Sequence, residues 1–148
     1  MRTIDAVRRS GVGIGPERTV RDAAAIMERS GVGSLAIIDG TQLVGIVTDR
    51  DLVRRALASG MPSDARVDAV MSSPVVTIDA DADLHEAFAL FRTHRARRLA
   101  VVRNGEFVGM ITVDDLLVDL VSDFADLAGP IRAEILSADR DSAVPATR

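Results

Sequence analysis

The stretch "GIVTDRDL", Gly45 to Leu52, returns sixty-four residues later as "GMITVDDL", Gly109 to Leu116. Each copy ends an apolar, strand-like run with Thr and sets Asp-Leu shortly after it. Two readings compete. Thr-x-x-Asp at a helix start is a capping box, in which the hydroxyl accepts the third amide and the carboxylate reaches back to the cap amide. Directly after a strand, the same residues also suit a ligand. The helix opens there with free amides and the positive end of its dipole, and a carboxylate can accept vicinal hydroxyls. The two roles can coexist.

Working outward from these closures, residues 12–57 align with residues 76–121 without a gap. Ala23 meets Ala87, Leu35-Ala36 meets Leu99-Ala100, Val44-Gly45 meets Val108-Gly109, and Thr48 and Asp51 meet Thr112 and Asp115. Two copies are too few for a solenoid; they predict a pair packed about a pseudo-twofold axis. Each copy reads β-α-β-β-α. Val20, Ala23, Ala24 and Met27 recur at helical spacing, as do Leu84, Ala87, Phe88 and Phe91. Thr19 to Asp22 and Asp83 to Glu86 read as helix starts. Asp39-Gly40 and Asn104-Gly105 are hairpin turns. They stand one residue out of step between the copies, so the turns are expected to differ in type. The expected division is 1–62 for the first repeat and 63–128 for the second. A partly flexible tail, 129–148, follows "AGP" at Ala128 to Pro130.

The 148-residue chain is 47% apolar and 27% charged, the composition of a globular protein. It has no cysteine, which excludes disulfides and thiolate chemistry. No apolar run reaches the roughly 20 residues of a membrane span, and the N-terminus lacks a signal-peptide core, so a cytoplasmic location is expected. A net charge of −4 argues against nucleic acid as a partner.

These motifs together resemble a tandem pair of cystathionine-β-synthase (CBS) domains, a stand-alone Bateman module. The resemblance covers residues 3 to 127. It rests on "MSSPVVTI", on "LAIID" and "RRLAVV", and on the two Gly-x-x-Thr-x-x-Asp-Leu closures. It implies an α/β (α+β) fold with two packed sheets and outer helices. It also implies a regulatory module without catalysis or a required cofactor, whose clefts bind AMP, ADP, ATP or S-adenosylmethionine. Thr48 with Asp51, and Thr112 with Asp115, would hold ribose or phosphate. The chain departs from the family pattern at Ala36 and Ala100, where Pro is frequent, and at Gly13 and Gly15, where Thr77-Ile78 keep the usual pair in the second copy. The alternative is an interaction protein that keeps the fold with empty clefts and acts through its dimer surface.

The arginines complete the candidate site. Arg97 and Arg98, within "RTHRARRLAVV", could meet phosphate in the central cleft, or could cap a solvated helix end near its negative dipole. Arg50 is the first closure's own candidate. His85 and His94 lack a carboxylate-histidine cluster and read as surface residues, so no metal is expected. No nucleophile-base pair or phosphate loop is present. The apolar set of helix 113–127, with a shorter set on helix 49–58, is too wide for one core-facing stripe and predicts a homodimer through these helices.

Overall fold

The computed structural model describes residues 2–7 and 11–141. One compact unit spans Met1–Val113 and a second spans Asp114–Arg148. The first contains two three-stranded sheets of the same topology. Strands β1 (Gly13–Ile14), β2 (Ser34–Asp39) and β3 (Gln42–Thr48) form one; β4 (Thr77–Asp79), β5 (Arg98–Arg103) and β6 (Glu106–Thr112) form the other. In each, the first strand lies parallel to the second, with α1 (Val20–Ser30) or α3 (Leu84–His94) as the crossover, and the third returns antiparallel. Even the register break recurs, between Ile37 and Ile38 and between Val101 and Val102.

The hairpin turns do differ in type. Asp39 pairs with Gln42 around Gly40, whose φ is +64°, whereas Arg103 pairs with Glu106 around Asn104 and Gly105, with φ of +52° and +81°. Positive φ at both central residues is the demand that Asn-Gly meets in a type I′ turn; glycine at the first central position alone suits type II′. The offset in the turn pair is thus a change of turn chemistry at constant loop length.

Alternation along the strands sets the core. Leu35, Ile37 and Val47 are fully buried, and so are their equivalents Leu99, Val101 and Ile111. Ala23 and Met27 bring the inner face of α1 onto the first set, with Ile14 beneath. Helix α1 starts at the Thr19 capping box and ends at Gly31, left-handed at φ 62°. There the Arg18 guanidinium and the Thr19 amide hold the Asp22 carboxyl below its usual range.

The short segments ahead of each repeat do something the sequence pattern did not announce. The turn Thr3–Ala6 docks on the second repeat: Thr3 donates to the Ala82 carbonyl through both its amide (2.8 Å) and its hydroxyl (3.0 Å), and Arg2 bridges Asp83. The matching turn Val67–Ala69, the helical piece expected within the linker, docks on the first: Val67 donates to the Arg18 carbonyl (2.7 Å) and Arg66 bridges Thr19. Each repeat therefore carries the other's leading segment.

The second unit differs from expectation at its end. Helix α4 runs from Val113 through Gly129 and Pro130 to Asp141 rather than stopping at Ala128. A proline inside a helix removes one backbone donor and crowds the preceding turn. Favourable residues beyond it (Arg132, Ala133, Glu134, Leu136) carry the helix on. Residues 142–148, the last part of the expected flexible tail, lie outside the described residues.

Candidate functional site

At the first closure, Thr48 ends β3, and the chain enters a helical turn, α2 (Asp49–Asp51), that continues as a π-helix, Leu52–Leu57. The capping box is complete. The Asp51 amide donates to Thr48 Oγ1 (3.1 Å), and the Thr48 amide donates to Asp51 Oδ2 (2.9 Å). Glycine opens the motif because the linker crosses over it. Ser72 exchanges backbone hydrogen bonds with Ile46 (2.8 and 3.1 Å), and a Cβ at Gly45 would collide with the neighbouring Met71 side chain.

Thr48 also lines a cavity of about 210 Å³ together with Ile46, Ser72, Pro74, Val75, Val76, Arg97 and Arg98. The structure thus brings Arg97 and Arg98 to the cavity of the first closure, from the start of β5 in the other repeat. Aliphatic walls, two hydroxyls and two guanidinium groups converge there. Such a lining accepts an apolar ring on one side and an anion on the other. The volume is below the roughly 300–1,000 Å³ of pockets that bury a whole small molecule, so it takes part of one.

The other expected residues are placed as follows. Asp51 is partly buried behind Thr48, while Arg50 is exposed, its amide donating to the Asp49 carboxylate (2.8 Å). Ile78 is buried in the core and Thr77 is exposed on β4; neither lines the cavity at Thr48, whose wall Val75 and Val76 help form. Thr112 ends β6 and Asp115 stands in the first turn of α4; both are partly buried. Among the described residues, no group of three or more His, Asp or Glu side chains could hold a metal ion. No helix there is long and apolar enough to cross a membrane.

One residue escaped the sequence reading. Arg55 Nη1 donates to the Val70 carbonyl (3.0 Å) and to Ser72 Oγ (3.1 Å), and its Nε lies 3.8 Å from Asp51 Oδ1. It ties the closure carboxylate to the linker that forms the cavity wall. The i,i+4 spacing of Asp51 and Arg55 was the available signal; the second copy has Asp119 at the equivalent position.

A second cavity, about 790 Å³, lies between α1 and the π-helix. Its lining is mainly aliphatic, including Val20, Met27, Val53, Leu57 and Met61, with few polar groups converging on it. That is the character of a docking groove rather than of a site for a polar ligand.

Comparison with known proteins agrees with this architecture. The CBS domain family matches residues 5–58 and 67–122, one copy on each repeat. The CBS domain-containing protein YhcV of Bacillus subtilis is 32% identical over 109 residues, covering 74% of this chain and 78% of that protein. A CBS domain protein of Pyrobaculum aerophilum, solved in complex with AMP, superposes with a TM-score of 0.72 at 26% identity, over 82% of this chain and 99% of that one. The CBS domain pair of protein MJ0100, solved with 5′-methylthioadenosine and S-adenosylmethionine, shares the fold at a TM-score of 0.73 and 21% identity, over 83% of this chain and 98% of that one.

Proposed function

The chain belongs to the CBS-domain family and carries two copies of the domain, and from that premise we propose that it is a non-catalytic regulatory module sensing an adenosine-containing ligand. The observation that carries this reading is the cavity in which Thr48 of one repeat meets Arg97 and Arg98 of the other. The aliphatic wall accepts the base, the Thr48–Asp51 closure the ribose, and the arginines the phosphate. AMP bound to the Pyrobaculum aerophilum protein supports the same class of ligand. Among AMP, ADP, ATP and S-adenosylmethionine, the paired guanidinium groups favour the phosphorylated three, because a planar fork meets phosphate oxygens in pairs. Thr112, at the end of β6, is the matching candidate at the second closure, with Thr77 on β4 of the same sheet.

Nucleotide at about 100 times its dissociation constant should add about 2.7 kcal/mol of stability. In a chain of this size the melting midpoint should then rise by roughly 5 to 10 °C. A midpoint unmoved by all four compounds at millimolar concentration sinks the proposal. It would favour the second reading, a ligand-free interaction protein, which the apolar groove between α1 and the π-helix supports.

Under either reading the protein acts as a homodimer through helices 49–58 and 113–127. Val53 and Leu57 are 56% and 77% exposed on the first, and Leu117, Leu120 and Phe124 are 52%, 44% and 73% exposed on the second. Exposed apolar residues on each helix belong against a partner. Light scattering should show a dimer for the wild type and a monomer for Leu120→Glu. A monomeric wild type, or a charged variant that stays dimeric, contradicts this.

A further inference from the structure

The first closure and the linker wall beside it come from separate stretches of chain, and one side chain fastens them together. Arg55 leaves the π-helix with its Nη1 donating to the Val70 carbonyl (3.0 Å) and to Ser72 Oγ (3.1 Å), while its Nε lies 3.8 Å from Asp51 Oδ1. The other oxygen of that carboxylate is fixed by the Thr48 amide, which donates to Asp51 Oδ2 (2.9 Å). A separation of 3.8 Å is too long for a hydrogen bond but short enough for attraction between opposite charges. Arg55 therefore orients Asp51 Oδ1 and leaves its lone pairs to the hydroxyls of a ligand.

Ser72 is anchored from two sides. Its backbone exchanges hydrogen bonds with Ile46 (2.8 and 3.1 Å), and its hydroxyl accepts from Arg55. A hydroxyl that accepts in this way keeps its own proton to donate. Ser72 and Ile46 both line the cavity at Thr48, whereas Arg55 does not. Only a planar fork, with several donors at fixed angles, can serve these separated acceptors at once; an ammonium is a single point of charge. Arg55 is half exposed, so its ion pair with Asp51 contributes little to the stability of the fold. The second copy has Asp119 at the equivalent position, so an arginine here belongs to the first copy alone. We propose that Arg55 is the positioning residue of the first cleft: without touching the ligand, it holds the Asp51 carboxylate and the Ser72 wall in the arrangement that receives a ribose.

This role rests on the adenosine-ligand reading, and full-length variants titrated with AMP and with adenosine separate the two. Arg55→Gln should weaken both compounds alike by about tenfold. Its unliganded melting midpoint should fall by no more than about 4 °C. Arg55→Lys should keep the midpoint within about 2 °C of the wild type and still lose most of that affinity, because the charge is present and the bridge is not. Combined with Asp51→Asn, Arg55→Gln should give a total loss of about twentyfold, well short of the roughly hundredfold to which two independent effects would multiply. Full affinity in either Arg55 variant overturns the bridge and leaves the ligand reading standing. So does a loss confined to AMP, which would make Arg55 a phosphate contact. A roughly hundredfold loss in the double variant does the same, because Arg55 would then act independently of Asp51. A midpoint lowered by about 8 °C or more in both Arg55 variants also overturns it, since Arg55 would then support the fold rather than the site. A wild type that binds neither compound overturns both.

Discussion

Leu99→Ala should lower the melting midpoint by roughly 6 to 12 °C, the equivalent of about 3 kcal/mol. Leu99 is fully buried on β5 opposite Ile111, and its neighbours in a close-packed sheet cannot fill the space it leaves. Leu35→Ala should cost about as much, because Leu35 holds the same register opposite Val47 in the first repeat and is equally buried. The size of the effect follows from register: a one-residue slip would send either leucine to the other face. A loss below about 2 °C by scanning calorimetry, for either variant, would show that its strand pairs in a different register.

Exchange of Arg97 and Arg98 together for Met should weaken AMP binding by about a hundredfold, since charge-assisted hydrogen bonds are worth about 1.5 to 3 kcal/mol and the two share one phosphate. Adenosine, which lacks the phosphate, should bind the variant and the wild type alike. This contrast separates recognition from a general loosening of β5. Asp51→Asn should behave differently. It keeps a side chain able to cap, so stability falls by about 1 kcal/mol or less. Binding of AMP and adenosine should fall together by about tenfold, because both present the ribose hydroxyls that the carboxylate accepts. Titration calorimetry reads all of these. A double arginine variant that loses adenosine as strongly as AMP would remove the phosphate role.

What could be read in advance is what local chemistry encodes. The repeat, the helix starts at Thr19 and Asp83, the Asn104-Gly105 turn and the alternation through Leu35 and Leu99 each depend on residues a few positions apart. The Thr48–Asp51 box was legible for the same reason. The walls of the cavity were not. Ser72, Val75 and Val76 arrive there from the linker, which carries no periodicity of its own. Arg97 and Arg98 were expected in the central cleft, but their meeting with Thr48, forty-nine and fifty positions earlier in the chain, was not. The end of α4 was misread because Gly-Pro is a strong stop in isolation. In this helix the favourable residues after it outweigh one lost hydrogen bond. The exchanged leading segments were invisible because their binding lies in backbone hydrogen bonds. Those leave no mark on side-chain pattern, although "IDAV" at Ile4 to Val7 and "VDAV" at Val67 to Val70 hint at a shared part.

That exchange means that the unit of inheritance and the unit of folding are not the same piece of chain. Cut between Ser59 and Pro62, the molecule would yield two fragments, each holding a turn that belongs on the other and lacking the turn that closes its own helix start. Neither fragment is expected to be a domain in the thermodynamic sense. Thr3 is fully buried about eighty positions away from the residues it serves, so the opening residues of the chain act as a bolt on the second half. Residues 66 and 67 do the same for the first. The two halves are thus expected to gain or lose order in a single step. A molecule held at the junction of Thr48 with Arg97 and Arg98 would touch both at once.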